Sequence, residues 1–385
     1  MQKQIPENWQ KVKLGDVVEI TSSKRIFAKE YFDEGVPFYR GKEIIEKFNG
    51  DEISTNLYIS DEKYNEIRNR FGVPQSGDML LTSVGTLGTP YLVGGSEKFY
   101  FKDGNLTWFR NYNGINGKFL YYWIQSSVGM GQLARHIIGS SQQALTIDGL
   151  KKVEVDLPQM RIQNQIVSIL SAIDDEIKVN NKIAKTLQDL AQAIFKEWFT
   201  ESSGKEYSFS SLANYVNGGV FGKIINKNKI GLPLIKIAEL NRGITENTEW
   251  IEKPVAEKYY IENGDLLFSW SGSIGLCIWD KGKAILNQHL FNVVPNGDFT
   301  KGFLYLALES KLRYFKQIAG SKATTMGHIK KEHLEEQFIM IPQGLDLEIF
   351  NIVYKKLVQL RLENQKLAEI RDLLLPRLMK GEIRI

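Results

Sequence analysis

The 385-residue sequence lacks the features that would place it in a membrane or outside the cell. Its single cysteine, Cys277, has no partner for an internal disulfide, which is typical of proteins in a reducing cytoplasm. No apolar run approaches the roughly 18 residues of a membrane span, and the first residues lack the apolar core of a signal peptide. We therefore expect a cytoplasmic protein with no membrane partner.

A large excess of one charge is also missing. The chain carries 49 basic and 45 acidic side chains, for a net charge of +4, and residues 1–156 hold 19 of each sign. Bulk charge therefore does not indicate a nucleic-acid partner. Any such site must be a local patch, or must be supplemented by another subunit.

Motifs for catalysis and cofactor binding are absent as well. The sequence has no Asn-Pro dipeptide, so the loop used by adenine-N6 methyltransferases is missing, and no phosphate-binding loop of the Walker type occurs. His328 and His333 are five residues apart, whereas a zinc-binding helix face needs a spacing of four. Asp78 and Asp265 each follow a glycine without a recurring base, so we interpret them as turn residues. We expect no enzymatic activity, no catalytic residue, no cofactor and no metal.

The most conspicuous feature that is present is a stretch from about Gln159 to Phe199 without glycine or proline. Its apolar residues recur in steps of three and four, interrupted by one polar position, Asn180, which is typical of a coiled-coil helix. About 40 residues would span roughly 60 Å, which exceeds the diameter of a small domain. We predict a helical strut between domains; a long core helix within one domain is the alternative.

The sequence also contains an internal repeat. A second helical stripe follows Pro342-Gln343 as the first follows Pro158-Gln159, and its central polar residue, Asn364, lies 184 residues after Asn180. Short apolar runs behind Gly-Asp predict strands at 78–82 and 265–269, and short helices are predicted at 119–124 and 303–308. The other matching segments are 14–18 with 212–216, 35–44 with 231–240, and 139–140 with 320–321.

The repeat predicts an α+β fold in which two pseudo-symmetric α/β domains are joined by two long antiparallel helices forming a coiled coil. The predicted segments are a first recognition domain at 1–156, a central helical spacer at 157–200, a second recognition domain at 201–340 and a C-terminal helical spacer at 341–385. If the stripes face each other, Asn180 and Asn364 meet and fix the register at a cost in stability; otherwise both face solvent. The residues expected in the spacer contact are Ile169, Ile173, Asn180, Leu187, Val353, Leu357, Asn364 and Leu374.

Two kinds of loop recur and are suited to polar recognition. Residues 83–88 and 270–275 combine glycines with hydroxyls, and residues 139–143 and 320–328 each begin with a Gly-Ser pair. Glutamine bonds adenine bidentately, and serine, threonine and basic side chains contact phosphates or base edges. The loops keep their positions while their residues differ, as expected if two lobes bind different ligands of one kind. The candidate DNA-binding residues are Lys24, Arg25, Arg40, Lys42, Ser83, Thr86, Ser140, Ser141, Gln142, Gln143, Lys223, Lys227, Lys236, Ser271, Ser273, Lys322, Thr324, Thr325, His328 and Lys330.

Together these motifs resemble the specificity subunits of type I restriction-modification systems, over essentially the whole chain. The resemblance is carried by the Leu-Gly-Asp, Gly-Asp-x-Leu, Gly-Ser-x-Gln, Leu-Pro-Gln and Ile-Pro-Gln segments, by residues 324–329 and by the helix endings at 191–199 and 371–379. It implies that each domain reads one half of a split site on double-stranded DNA. It also implies that the helices space the domains and bind two modification subunits, with restriction subunits joining through the complex. A specificity subunit of a type II-like enzyme and a coiled-coil adaptor without DNA remain alternatives.

Overall fold

The computed structural model describes residues 9–95, 97–140, 142–200, 203–222, 224–226, 228–320 and 328–385. The chain divides into two compact units. Unit 1 comprises Met1–Asp175 with Ala368–Ile385, and unit 2 comprises Glu176–Leu367. None of the helices in these described ranges is long and apolar enough to cross a membrane.

Unit 1 begins the chain and contains eleven strands among its described residues. The elements up to the first long helix are β1 (Gln10–Lys13), α1 (Leu14–Val17), β2 (Glu19–Thr21), a 3-10 turn (Ala28–Glu30), β3 (Val36–Tyr39), α2 (Gly41–Asn49), β4 (Tyr58–Ile59), α3 (Asp61–Phe71), β5 (Met79–Thr82), β6 (Pro90–Leu92), β7 (Tyr100–Phe101), β8 (Leu106–Arg110), α4 (Gly117–Gln125), α5 (Ser127–Ala134), β9 (Ile137–Ile138), β10 (Ala144–Leu145), α6 (Ile147–Lys151), β11 (Glu154–Leu157) and α7 (Met160–Thr200).

The strands of unit 1 form one antiparallel and one mixed sheet, with two short pairs. The antiparallel sheet has the order β2-β8-β5-β6, and the mixed sheet has the order β4-β3-β7 with β3 parallel to β7. All four residues of β5 are buried, since this central strand is covered on both faces. A large core cluster joins Phe119 and Trp123 of α4 to Ile166 and Leu170 of α7.

Unit 2 repeats this plan. Its elements are β12 (Lys205–Ser208), α8 (Phe209–Leu212), β13 (Ala213–Asn217), β14 (Ile225–Asn226), β15 (Leu232–Ile235), α9 (Ile237–Arg242), β16 (Trp250–Ile251), a 3-10 turn (Glu257–Tyr259), β17 (Tyr260–Ile261), β18 (Leu266–Ser269), β19 (Gly275–Ile278), β20 (Ala284–Leu286), β21 (Leu290–Pro295), α10 (Lys301–Gly320), α11 (Lys331–Glu335), β22 (Phe338–Ile341) and α12 (Glu348–Met379), whose last residues belong to unit 1.

The antiparallel sheet of unit 2 corresponds strand by strand to that of unit 1, and the two mixed sheets share a parallel pair. The order β13-β21-β18-β19 corresponds to β2-β8-β5-β6, and β15 is parallel to β20 as β3 is to β7. The mixed sheet of unit 2 additionally contains β14 and β17. The internal repeat of the sequence is thus a repeat of sheet topology.

Of the two long helices, only the second begins well after its predicted first residue. The first, α7, agrees with the predicted stretch, whereas α12 begins at Glu348 rather than directly after Gln343. Gly344 adopts a left-handed conformation (φ 76°), and the Asp346 carboxylate accepts the Glu348 N–H (2.8 Å), so this turn delays the helix start.

The predicted short helix at 303–308 is also longer, because it is part of the 20-residue helix α10. The matching stretch of unit 1 is broken into α4 and α5. There the Ser126 hydroxyl accepts the Gly129 N–H (3.1 Å) and begins a new helix.

Within unit 2 the segments of α7 and α12 run antiparallel. The Asn180 side-chain amide donates to Asn364 Oδ1 (3.0 Å), and Asn364 donates to Asn181 Oδ1 (2.8 Å). Fifteen residues further along α7, the ring of Phe195 lies 5.8 Å from that of Phe350, which precedes Asn364. Asn180 is only 3% exposed, so its amide depends on these partners.

The other expected spacer residues are less buried than a simple coiled coil would predict. Ile169, Ile173, Leu187, Val353 and Leu374 are half-buried, and Leu357 is buried. The most buried helix positions contact the cores of the units: Ile166 and Leu170 in unit 1, and Phe195, Phe350, Tyr354 and Leu357 in unit 2. The helices therefore bury one face against the globular part of each unit.

Candidate nucleic-acid interface

At one end of the antiparallel sheet of unit 1, several chain segments meet around residues 102–105, here called the unit 1 corner. The Lys102 N–H donates to the Tyr39 carbonyl at the end of β3 (2.8 Å). The Ser83 N–H, just after β5, donates to the Asn105 carbonyl (2.8 Å). The corner thus links the ends of two strands from different sheets.

The loops at 83–88 and 139–143 lie side by side at this corner. The Leu145 N–H donates to the Ser83 carbonyl (3.0 Å), and Val84 forms an isolated antiparallel bridge with Ala144. These loops are about 60 residues apart in the sequence, so only the tertiary structure brings them together.

Unit 2 repeats the arrangement around residues 286–289, the unit 2 corner. The Asn287 N–H donates to the Ile235 carbonyl at the end of β15 (3.0 Å), and the Trp270 N–H, just after β18, donates to the His289 carbonyl (3.4 Å). These two bonds correspond to the two at the unit 1 corner, although the bonded corner residues are two positions apart here (287 and 289) and three apart in unit 1 (102 and 105).

The described end of the second recurring loop of unit 2 is also bonded to the first loop. The Ile329 N–H donates to the Trp270 carbonyl (2.7 Å), and Ser271 bridges His328. Residues 328–329 therefore meet the first loop of unit 2 at the end of its antiparallel sheet that corresponds to where residues 144–145 meet the first loop of unit 1.

Two basic candidates, Arg40 and Lys236, occupy the helix N-caps beside the corners. The backbone N–H of Arg40 donates to the carboxylate of Glu43 (2.8 Å), and that of Lys236 donates to Glu239 (3.0 Å). The Arg40 guanidinium also donates to Glu43 (2.7 Å), and the Lys236 ammonium pairs with Glu249 (2.6 Å). Part of each positive charge is therefore neutralised inside the protein.

The electrostatics of the Arg40 pair follow from its burial. Glu43 has no exposed surface, and burial alone would raise the pKa of its carboxyl. The hydrogen bonds from Arg40 outweigh burial, so the pKa of Glu43 lies below its ordinary value. The positive charge of Arg40 thus stabilises the ionised, buried carboxylate of Glu43, so Arg40 is not free to bind another anion without leaving Glu43 unpaired.

Three other cations of unit 1 are more available. The Arg25 side chain is 68% exposed while its guanidinium donates to Asp103 of the corner (2.8 Å). Lys42 is 60% exposed and lies 3.7 Å from Glu46. The Lys24 ammonium lies 4.5 Å from the centre of the exposed Phe71 ring. Such groups can contact phosphates without breaking a buried pair.

The polar loop residues fall into two groups. Thr86, Ser140, Gln142 and Gln143 of unit 1 are exposed, as are Ser273, His328 and Lys330 of unit 2. Ser83 and Ser271 are buried (3% and 5% exposed), and their hydroxyls lie within 2.6 Å of Thr107 Oγ1 and 3.0 Å of His289 Nδ1. Contrary to the expectation of DNA contacts, these two hydroxyls are used inside the protein. The candidates outside the described residues are Ser141, Lys223, Lys227, Lys322, Thr324 and Thr325.

The corners themselves were missed by the sequence reasoning. The triplets Asp103-Gly104-Asn105 and Asn287-Gln288-His289 are both polar, lie 184 positions apart and directly precede β8 and β21. The signal that could have found them is the one used for the loops, a repeated position with changed residue types.

The repeated aspartates have the expected turn role. Asp78 accepts the Gln75 N–H (2.8 Å), and Asp265 accepts the Glu262 N–H (2.8 Å). Burial raises the pKa of Asp78 although the Trp108 indole also donates to it (2.9 Å). Both carboxylates therefore stabilise the turns before β5 and β18.

The histidine pair considered for zinc is arranged differently from a metal site. His333 Nδ1 accepts the Lys330 N–H (3.1 Å) at the start of α11, whereas His328 bridges Ser271. Across the described ranges, no group of three or more potential ligands could hold a metal ion.

Comparison with known proteins agrees with this duplicated plan. The family model for the type I restriction modification DNA specificity domain matches residues 6–189 and 203–372. The chain is 25% identical, over an alignment of 429 residues, to the type I restriction enzyme MjaIX specificity subunit of Methanocaldococcus jannaschii, covering 99% of this chain and 95% of the relative. It is 24% identical over 326 residues to the HindI specificity subunit of Haemophilus influenzae, covering 62% and 71%.

The fold is similar to the crystal structure of the type I restriction-modification S subunit from M. genitalium. The TM-score is 0.62 at 17% identity, and 98% of this chain and 97% of the other are covered. Because the family model matches both halves and most of the sequence, the chain belongs to the specificity subunits of type I restriction-modification systems.

Proposed function

We propose that this chain selects the DNA target of its complex by reading a bipartite site, one half with each lobe. The proposed recognition domains are residues 1–156 and 201–340. The observation that carries the proposal is the pair of corners, where matching backbone bonds hold two loops together while the side chains differ. Two lobes that share backbone geometry but differ in their polar side chains are suited to bind two half-sites of different sequence.

The exposed groups fall into two classes: those suited to bind phosphates, which position the protein on DNA, and those suited to bind base edges, which select the sequence. Lys24, Arg25 and Lys42 suit phosphates, which supply affinity without sequence information. Gln142 and Gln143 suit the adenine edge in the major groove. In the second lobe, the described candidates that are exposed are Ser273, His328 and Lys330. The net charge of only +4 suggests that partner subunits supplement DNA affinity.

The remaining functions of the complex are assigned to its partners. Two modification subunits would supply methyl transfer, and restriction subunits would join through the complex, so this chain needs no catalytic residue or cofactor. The helix residues Ile169, Ile173, Asn180, Leu187, Val353, Leu357, Asn364 and Leu374 are proposed to space the two lobes.

The test is a domain exchange in the complete complex. The chain is co-expressed with its modification subunits, and methylated sites are mapped in DNA of known sequence. Exchanging residues 1–156 for the first domain of a relative should change one half-site, and exchanging residues 201–340 should change the other. An exchange that altered both half-sites would contradict the two-lobe proposal. The adaptor alternative predicts no sequence-specific methylation in any combination.

A further inference from the structure

Three side chains at the unit 2 corner form a hydrogen-bonded row. The Ser271 hydroxyl oxygen lies 3.0 Å from Nδ1 of His289, and the Gln288 amide nitrogen lies 3.3 Å from Nε2 of the same ring. Ser271 is buried, whereas His289 and Gln288 are half-buried. Both nitrogens of the imidazole therefore have a partner, which fixes the ring between a buried hydroxyl and a surface amide.

The donors and acceptors in this row can be assigned from chemistry. An amide nitrogen only donates, so Nε2 of His289 accepts, and Nδ1 carries the proton that is donated to Ser271. The Gln288 amide nitrogen has two hydrogens, and His289 occupies one. Among the described residues, Gln288 Oε1 has no hydrogen-bond partner. The outer edge of the amide thus offers one donor and one acceptor.

The neighbouring indole supports the same orientation. The Trp270 ring lies 5.8 Å from the imidazole of His289, and its Nε1–H donates to Asn217 Oδ1 (3.2 Å). Because Trp270 also bonds His289 through its backbone, the imidazole is held on more than one side. An amide oriented in advance loses less conformational entropy when it binds a ligand.

Among the described residues of unit 1, no side chains form a counterpart of this row. Counted back from the start of the following strand, β8 or β21, the position that matches Gln288 is Gly104, which has a positive φ (74°) and no side chain. The preceding residue, Asp103, is paired with Arg25. The corner of unit 2 therefore carries a neutral amide, whereas the corner of unit 1 carries a charged pair.

We propose that Gln288 reads an adenine in the half-site of the second lobe, and that His289 and Ser271 are positioning residues for its amide. The inference rests on the proposed function, since it assumes that this corner faces DNA. In the major groove, adenine offers an acceptor at N7 beside a donor at N6, and guanine offers two acceptors. An edge with one donor and one acceptor matches adenine.

The experiment measures methylation by the complete complex on short duplexes that carry each of the four bases at each position of the second half-site. In the wild type, one position should require adenine. Gln288→Ala should reduce discrimination at that position by roughly 5- to 140-fold and leave the other positions unchanged. Gln288→Glu should shift the preference there toward cytosine, because a carboxylate accepts from cytosine N4.

A variant of His289 tests the positioning role. His289→Ala should relax the same position as Gln288→Ala, but by a smaller factor, because the amide remains without its fixed orientation. A purely structural role would lower methylation of all duplexes evenly and leave base ratios unchanged, and that result overturns the assignment of His289. Gln288→Glu preserves size and shape, so it remains informative if the alanine variant is unstable.

The matched control is Asn296→Ala at the opposite end of β21, where the amide donates to the Ser211 carbonyl (3.2 Å). This variant should keep all base preferences. The proposal for Gln288 is overturned if its variants keep every preference, if they change the first half-site, or if no position of the second half-site requires adenine. If the wild-type complex shows no bipartite specificity at all, the proposed function itself fails instead.

Discussion

The two units hold their helix segments with different chemistry on the same backbone plan. In unit 1 the Tyr122 hydroxyl donates to one oxygen of Asp174 (2.6 Å), and Arg371 donates to the other (3.1 Å). This triad joins α4, α7 and α12. The positions of unit 2 that lie 184 residues away are Leu306, Val358 and Leu187.

In unit 2 these three residues pack against an apolar cluster that is rich in aromatic rings. The Phe195 ring lies 4.5 Å from Phe199 and 5.8 Å from Phe350, and the Asn180–Asn364 pair supplies the polar contact. At equivalent positions, the helices are thus held by an ion pair with a hydrogen bond in unit 1 and by apolar packing in unit 2. From this difference we predict that the side-chain chemistry at these positions can be exchanged within the same backbone plan.

The largest expected effect comes from removing an aromatic ring in unit 2. Phe195→Ala should lower the free energy of unfolding by about 3–5 kcal/mol, because it leaves a cavity among packed rings. Hydrogen exchange resolved by peptide should show the loss of protection within unit 2. Leu190→Ala on the same helix is the control, since Leu190 is 53% exposed and its loss should cost about 0.5 kcal/mol or less. Equal effects of the two variants would contradict an aromatic core here.

A smaller effect is expected from breaking the triad of unit 1. Arg371→Leu leaves the Asp174 carboxylate without its charged partner and should cost about 1–3 kcal/mol. The lower part of this range is favoured because the two side chains are 32% and 19% exposed. Denaturant unfolding of the full chain measures the loss.

The triple variant Tyr122→Leu, Asp174→Val and Arg371→Leu transfers the residues of unit 2 into unit 1. It removes all polar members together, so no buried group loses its partner. We expect its stability to lie within about 1 kcal/mol of the wild type. A triple variant less stable than Arg371→Leu alone would show that the positions are not exchangeable.

The sequence predicted the features that depend on local pattern. The apolar periodicity predicted α7, and the Gly-Asp turns with the apolar runs behind them predicted β5 and β18. The internal repeat predicted that two units share one plan. These features follow from residue spacing within a few turns or strands, which a single sequence records directly.

The features it did not predict depend on contacts between distant segments. The bridge between Val84 and Ala144 joins loops whose closeness no local pattern encodes. Residue type alone also assigned Ser83 to DNA, although Thr107 from another strand accommodates its hydroxyl. Likewise, the Arg40 side chain donates to the buried carboxylate of Glu43, three residues further along the chain, which the residue type of Arg40 alone does not indicate. Burial and partner choice decide which polar residues remain available, and both are tertiary properties.

The smallest expected effect concerns alkaline pH and distinguishes the tyrosines of the two units. Burial, and then the hydrogen bond to Asp174, raise the pKa of Tyr122 above its ordinary value. An unfolded tyrosine titrates at about pH 10. Because the folded state retains the proton to higher pH, this contribution to stability is complete below about pH 10 and is lost as the pH rises further.

Tyr354 of unit 2 has the same sign of shift, because burial, and then the charge of Asp265, raise its pKa. Its hydroxyl donates to the Gly264 carbonyl (3.2 Å), so no carboxylate accepts its proton.

Tyr122→Phe and Tyr354→Phe should each lose a hydrogen bond at neutral pH. Each should also reduce the loss of unfolding free energy between neutral pH and about pH 11 by about 1 kcal/mol. In the triple variant of unit 1, Tyr122 has been replaced, so its contribution to the pH dependence of stability is absent. Adding Tyr354→Phe to that variant should still reduce the loss of stability at alkaline pH. Denaturant unfolding at intervals from about pH 8 to about pH 11 measures these slopes. If Tyr122→Phe declines as steeply as the wild type, the Tyr122 hydroxyl titrates alike in the folded and unfolded chains, and the triad does not hold its proton.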